Sequence, residues 1–202
     1  MEHYSQLFQD IFAISTAINK TYIEIGAWKP EKYSNTYLLE LNGWKGFSLE
    51  LDKTSKKPLW DNHPKRKNTI YWEDAITFDY VNALTENNMP NHIGYLSVDI
   101  EPPENTFAAL QKVIEQGISV DCITFEHDKY YTDVDYDPIV TEYLKNKDYS
   151  VAVKDVYRHR KYRTEGQKKK ISKKCFMETW FVHNSLKASQ QTYDEWLKQN
   201  IK

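Results

Sequence analysis

Five short apolar runs in this chain end in carboxylates. Glu24 stands just before Ile25-Gly26, Glu50 and Asp52 close the second run, and Glu73-Asp74 follow the third. Asp99-Ile100-Glu101 end the fourth and Glu126-His127-Asp128 the fifth. One acid at the end of such a run is an ordinary charged turn. Carboxylates are costly to bury, so five in succession point to a shared polar mouth. Such a mouth can stabilise a cation, accept hydrogen bonds from hydroxyls, or take a proton from a nucleophile. His127 is the side chain best suited to act as base, although a histidine hydrogen-bonded at a strand end would explain it equally simply. Asp99, Glu126 and His127, joined by Glu101 and Asp128, also carry the donor types that suit Mg or Mn. That metal set is an alternative rather than the expectation.

The first mouth has the parts a nucleoside needs. Gly26 gives a turn that a ligand can approach closely, Ser34-Asn35-Thr36 precede a helical segment, and Glu50 lies 24 residues past Gly26, placed to accept ribose hydroxyls. A dinucleotide site wants GxGxxG around its pyrophosphate, and here the turn reads GAWKPEKYSNT with a single glycine. A nucleoside lacking a pyrophosphate therefore fits better than a nicotinamide dinucleotide, and no Walker loop is present.

The elements that must hold these residues alternate along the chain. Extended runs are expected at Tyr22 to Ile25, Gly46 to Leu51, Thr69 to Trp72, Tyr95 to Val98 and Cys122 to Phe125, with helical periods between most of them. Asn35 to Leu41 reads as a helix closed by Asn42-Gly43, and Glu104 to Gln116 as one with Phe107, Leu110 and Ile114 on a face and Gly117 at its end. Tyr149 to Val156 and Phe176 to Val182 read as two strands in succession, which pair antiparallel, and Gln191 to Gln199 as a last helix. The pattern predicts a three-layer α/β fold with a mostly parallel sheet and an antiparallel edge.

Several of these segments together resemble the FkbM-type family of S-adenosylmethionine-dependent methyltransferases. They are SQLFQD at 5 to 10, YIEIGAWKPEKYSNTYLLELNGWKGFSLELD at 22 to 52, YLSVDIEPPENT at 95 to 106, ITFEHD at 123 to 128 and ETWFV at 178 to 182. The resemblance spans most of the chain. It implies a seven-stranded Rossmann-like class I methyltransferase fold with an antiparallel last strand, and S-adenosyl-L-methionine as cofactor. Carried over by position, it puts Glu24 and Gly26 at the methionine end, Ser34 and Thr36 at the carboxylate, Glu50 on the ribose, Asp74 near the adenine amine and Asp99 facing the transferred methyl. Asp99, Glu126 and His127 would carry the reaction, and Gln9 and Asp10 would fold over the site. Pro30 departs from the pattern, standing where the class usually has a further glycine. The resemblance further implies O-methylation of a hydroxyl on a sugar or similar small metabolite.

Composition narrows the field. At 202 residues, 40% hydrophobic and 28% charged, the chain can bury the core of one domain, 1 to 202, with a short helix at about 5 to 18. It has no apolar run long enough to span a membrane and no basic, greasy leader, so a cytoplasmic protein is expected. Cys122 and Cys175 are too few for a zinc or disulfide framework and are expected to be reduced thiols. Lys154 to Lys174 holds ten Lys or Arg against Asp155 and Glu165, a charge of +8 in a chain whose net charge is -2. The part at about 157 to 175 is expected to be a loop, either a solvated one or one that meets an anionic partner: a sugar phosphate, a nucleotide-linked sugar, or RNA through Lys168, Lys169 and Lys170. RNA methylation and a non-catalytic binding module are the competing functions.

Overall fold

The computed structural model describes residues 2–130, 132–163 and 170–201, with the backbone alone at 160–163 and 170–172. Its parallel strands are β1 (Thr21–Ile25), β2 (Lys45–Leu49), β3 (Thr69–Tyr71), β4 (His92–Val98) and β5 (Ser119–Glu126). Two long strands follow, β6 (Tyr149–Arg163) and β7 (Lys170–His183), and then a short β8 (Gln191–Thr192). Their spatial order is β3-β2-β1-β4-β5-β7-β6-β8. β7 runs antiparallel to both β5 and β6. The expected mostly parallel sheet is present, with β8 as an eighth strand at its edge, parallel to β6.

Apolar side chains of alternate residues feed two cores. Ile23, Leu96, Ile123 and Phe181 pack with residues of α4 (Tyr80–Glu86), α5 (Pro103–Glu115) and α6 (Tyr136–Lys145). Their neighbours Tyr22, Tyr95, Cys122 and Val182 pack on the other face with α1 (Gln9–Thr16), α2 (Tyr37–Leu41) and α7 (Tyr193–Asn200). A sheet covered on both faces needs apolar runs without polar alternation, which is how β1, β4 and β5 read. On the second face Trp180 is fully buried against Phe12 (ring centroids 4.7 Å apart) and Trp196 (5.0 Å). Burying such a ring contributes about 1.5–3 kcal/mol or more, so α1 and α7 are anchored through one residue of β7. α7 begins with a reciprocal cap, Thr192 accepting from the Glu195 amide and the Glu195 side chain accepting from the Thr192 amide. α3 (Lys53–Asp61) lies between β2 and β3.

The basic stretch is not the loop expected from its charge. β6 and β7 stay paired from Tyr157↔Phe176 out to Arg163↔Lys170, well beyond Glu126↔Glu178, where β5 stops. They form a two-stranded arm projecting past the carboxyl edge of the parallel strands. A ladder is held by backbone hydrogen bonds whatever the side chains carry, so the many charged residues of these two strands conceal it from hydropathy. Of the three lysines expected to meet RNA, Lys168 and Lys169 lie outside the described residues and Lys170 is described by its backbone alone. Among the described residues no helix is long and apolar enough to cross a membrane. Cys122 and Cys175 are both buried thiols.

Candidate active site

Strand order reverses between β1 and β4, and a crevice opens outside their carboxyl ends. Gly26 forms its corner with φ +88°, and a Cβ there would lie 1.7 Å from the Asp99 carbonyl oxygen. Only glycine fits. The corner is tied to both neighbours: the Gly26 and Ala27 amides each donate to Leu49 O at 3.0 Å, and the Asp99 amide donates to Ile25 O at 3.0 Å.

The crevice widens into a cavity of ≈ 610 Å³. Trp28, Glu50, Glu73 and Asp74 line the β2–β3 side, Gly26 and Asp99 the centre, and Glu101, Asn105, Glu126, Asp128 and Tyr130 the β4–β5 side. Gln6, Arg158 and Met177 close it from the N-terminal segment and the arm. Glu50 is held rigidly, Oε2 accepting from the Trp28 amide at 2.9 Å and Oε1 from the Asp52 amide at 2.8 Å. Each oxygen keeps a lone pair for a ligand hydroxyl. Asp74 is exposed at the rim, Oδ1 capping the Ile76 amide at 2.9 Å. Among the described residues the lining has seven carboxylates, Glu50, Glu73, Asp74, Asp99, Glu101, Glu126 and Asp128, against one cation, Arg158.

Electrostatics are most acute at the cavity floor. Burial raises the Asp99 carboxyl above its ordinary range, and it sits in hydrogen-bonding contact with Glu126. Glu126 is raised well above its range, first by burial and then by the Asp99 charge. Glu126 therefore holds its proton more tightly beside Asp99, and the two resist carrying two charges at once. Beneath them Glu178, directly across from Glu126 in the β5–β7 register, is pushed up to about 8 by burial and by Asp99. It accepts from Gln9 Nε2 at 2.5 Å and Trp180 Nε1 at 2.7 Å, which favour its charge without overcoming burial.

A pH dependence of stability follows. The unfolded chain releases the Glu178 proton near 4.5, whereas the folded one holds it to about 8. Stability contributed by this group is complete below 4.5 and falls as pH rises toward 8. Burial lowers His127 to about 4 from 6.5, which works in the opposite sense but only below 6.5. Between pH 6.5 and 8 the thermal midpoint should therefore decline by several degrees, at up to about 1.4 kcal/mol per pH unit for each such group. A midpoint that is flat or rising over that window would contradict the raised carboxyls.

Several residues expected at the site are elsewhere. Glu24 is 2% exposed and faces inward, Oε1 accepting from Ser34 Oγ (3.2 Å) and the Asn35 amide (3.1 Å), Oε2 from Thr36 Oγ1 (2.8 Å) and Ser48 Oγ (2.7 Å). Its buried cation is Arg66, at 3.6 Å, which also pairs with Glu40 at 2.9 Å. Arg66 donates to Pro30 O, Ser34 Oγ, Thr36 Oγ1 and Ser48 Oγ and lies 4.4 Å over the Trp60 ring. Glu24, Ser34 and Thr36 thus clamp the 26–36 turn from beneath and do not line the cavity. Pro30 serves the same clamp through its carbonyl.

His127 is also displaced. It is fully buried on the α6 side, Nδ1 accepting from the Lys129 amide at 3.3 Å and Nε2 3.4 Å from Thr179 Oγ1, and it does not line the cavity. The strand-end reading of this histidine is the one its position supports. Among the described residues no three His, Cys, Asp or Glu side chains form a metal-binding group, so Asp99, Glu126 and His127 do not assemble as the alternative set required. Gln9 and Asp10 are buried beneath the N-terminal segment and do not line the cavity. Asp10 accepts from the Tyr4 and Ser5 amides, and Gln9 joins the Leu7 amide to Glu178.

Sequence reasoning missed Arg66, Arg158 and Glu178 as members of these networks. Glu24 within an apolar run signals that some cation must meet it, but spacing does not say which.

No family model matches the chain, and no curated protein matches it in sequence. Solved structures do match in fold. One from Clostridium thermocellum, named as an rRNA-methylase, is 16% identical with a TM-score of 0.50, over 91% of this chain and 99% of that one. Precorrin-6y C5,15-methyltransferase from Geobacter metallireducens GS-15 is 12% identical with a TM-score of 0.53, over 85% and 84%. A precorrin 8W decarboxylase from Methanobacterium thermoautotrophicum is 10% identical with a TM-score of 0.52, over 90% and 92%. The fold is the Rossmann-like class I methyltransferase fold. The names on these neighbours differ in reaction and substrate, so the fold leaves the acceptor open.

Proposed function

We propose that this protein is an S-adenosylmethionine-dependent methyltransferase. The observation that carries the reading is the charge of the cavity: seven carboxylates around a bare glycine corner at the switch point, with Glu50 fixed at the end of β2. That donor set suits a cationic nucleoside. Glu50 would hold the ribose hydroxyls, Asp74 the adenine amine, and Gly26 would let the backbone approach closely. When bound, the cofactor supplies an electrophilic methyl on a positively charged sulfur.

The remaining chemistry falls to the chain. The Asp99–Glu126 pair lines the cavity, where its charge would stabilise the sulfonium and a free carboxylate oxygen would accept the proton leaving the nucleophile. Both cofactor recognition and proton acceptance thus rest on carboxylates, His127 being turned away. The acceptor is proposed to be a hydroxyl of a sugar-like small metabolite, in keeping with the sequence resemblance. The arm of β6 and β7 supports a second reading, RNA, because its sequence is rich in Lys and Arg and its strands run on from the edge of the sheet where Arg158 lines the cavity.

Calorimetric titration with S-adenosylhomocysteine tests the cofactor. The parent should bind saturably, and Glu50→Ala should bind about 10- to 100-fold more weakly, the loss of one or two hydrogen bonds to a charged group. A folded parent that binds none would overturn the reading.

A further inference from the structure

Arg158 sits on β6 where the arm leaves the sheet, opposite Cys175, and its side chain reaches the cavity. Among the described residues it is the one cation in a lining with seven carboxylates, and its charge acts on Asp99 without forming an ion pair with it. Its hydrogen bond is to a neutral group, NH1 to Gln6 Oε1 at 2.8 Å, and its Nε is buried without a partner. A guanidinium has five N–H donors in a rigid planar fork, and a donor such as this Nε is costly to withdraw from water without a partner. Gln6 holds one corner of this fork and leaves the others unspent.

We infer that Arg158 is the acceptor-recognition residue, receiving an anionic phosphate on the molecule to be methylated. Resting on the proposed methyltransferase reading, this places the adenosine end toward Glu50 and Asp74 on the β2–β3 side and the acceptor's anion against β6, at the far side of the strand order. A planar fork suits the paired oxygens of a phosphate, and the seven carboxylates repel any anion placed elsewhere in the cavity. The phosphate could belong to a small phosphorylated sugar or to a nucleic-acid backbone running onto the arm.

The test uses the full-length protein and two measurements on parent and Arg158→Gln: affinity for S-adenosylhomocysteine, and affinity for inorganic phosphate, glucose 6-phosphate and hexauridylate. The expected result is saturable binding of at least one phosphate probe by the parent, weakened tenfold or more in Arg158→Gln, with S-adenosylhomocysteine affinity changed less than twofold. A small acceptor is indicated if glucose 6-phosphate binds more tightly than hexauridylate and is unaffected by Lys173→Ala/Lys174→Ala. A nucleic acid is indicated if hexauridylate binds more tightly and that double variant weakens it. The inference is overturned if no phosphate probe binds the parent or if Arg158→Gln binds as the parent does. A tenfold loss of S-adenosylhomocysteine affinity in Arg158→Gln also overturns it, since the guanidinium would then serve the cofactor's own carboxylate. Phosphate binding through Arg158 in a parent that ignores S-adenosylhomocysteine would keep the anion site and remove the methyltransferase reading.

Discussion

Arg66→Met should lower the stability of this protein by about 3–5 kcal/mol, the usual consequence of removing one partner from a buried ion pair. The Arg66 side chain is 2% exposed, like that of Glu24, and it also meets Glu40 and three hydroxyls. Methionine fills much of the space over Trp60 but leaves Glu24 buried without a cation. Burial already raises Glu24, and Arg66 is the largest influence lowering it. Without Arg66 its folded pKa rises further, so the folded variant binds a proton that the unfolded chain has released. The loss should therefore be smallest at acidic pH and grow as pH rises above the ordinary carboxylate range. Urea unfolding at pH 5 and pH 8 measures this, and Glu24→Gln in the Arg66→Met background should recover part of the difference at pH 8. An equal loss at both pH values would mean that packing, rather than charge, is what Arg66 provides.

The second large effect is non-additive. Asp99 and Glu126 resist carrying two charges at once, so Asp99→Asn or Glu126→Gln alone removes an ionisable group while leaving the other to carry the charge. Each single variant should bind S-adenosylmethionine within about threefold of the parent, because the charge moves by only a side-chain length. The double variant carries no charge there. Its affinity for S-adenosylmethionine should fall about 30-fold, equivalent to ~2 kcal/mol, within the range for a unit charge a few ångströms from a cation near a protein surface. Binding of S-adenosylhomocysteine, whose sulfur is neutral, should change little. Titrating both ligands into the four proteins closes the cycle. Losses that add, or that are equal for the two ligands, would show that the pair does not act as one charge at the sulfur.

Much of this arrangement was legible along the chain. The strand runs were readable because parallel strands buried on both faces must be apolar, and α5 was readable from the period of Phe107, Leu110 and Ile114. The arm was not, because a two-stranded ladder is held by its backbone, so a sequence dense in charge can form one while reading as a loop. Glu50 and Asp99 were legible as acids at strand mouths, and both line the cavity. Glu24 carried the same signal and does not.

What the sequence determined by itself, then, is the succession of elements and the concentration of acid at one edge of the sheet. Both follow from local rules: the periods of strand and helix, the turn at Gly26, and the cost of burying a carboxylate. Which acids face the cavity was decided only in three dimensions. Glu126 and His127 are neighbours, yet successive side chains at a strand end point to opposite faces, so one enters the cavity and the other the layer against α6. Glu178 reaches Glu126 through antiparallel pairing, and Arg66 reaches Glu24 across the turn that it clamps. Such meetings depend on register and on desolvation by the surrounding core, which residues acquire only when the sheet has formed.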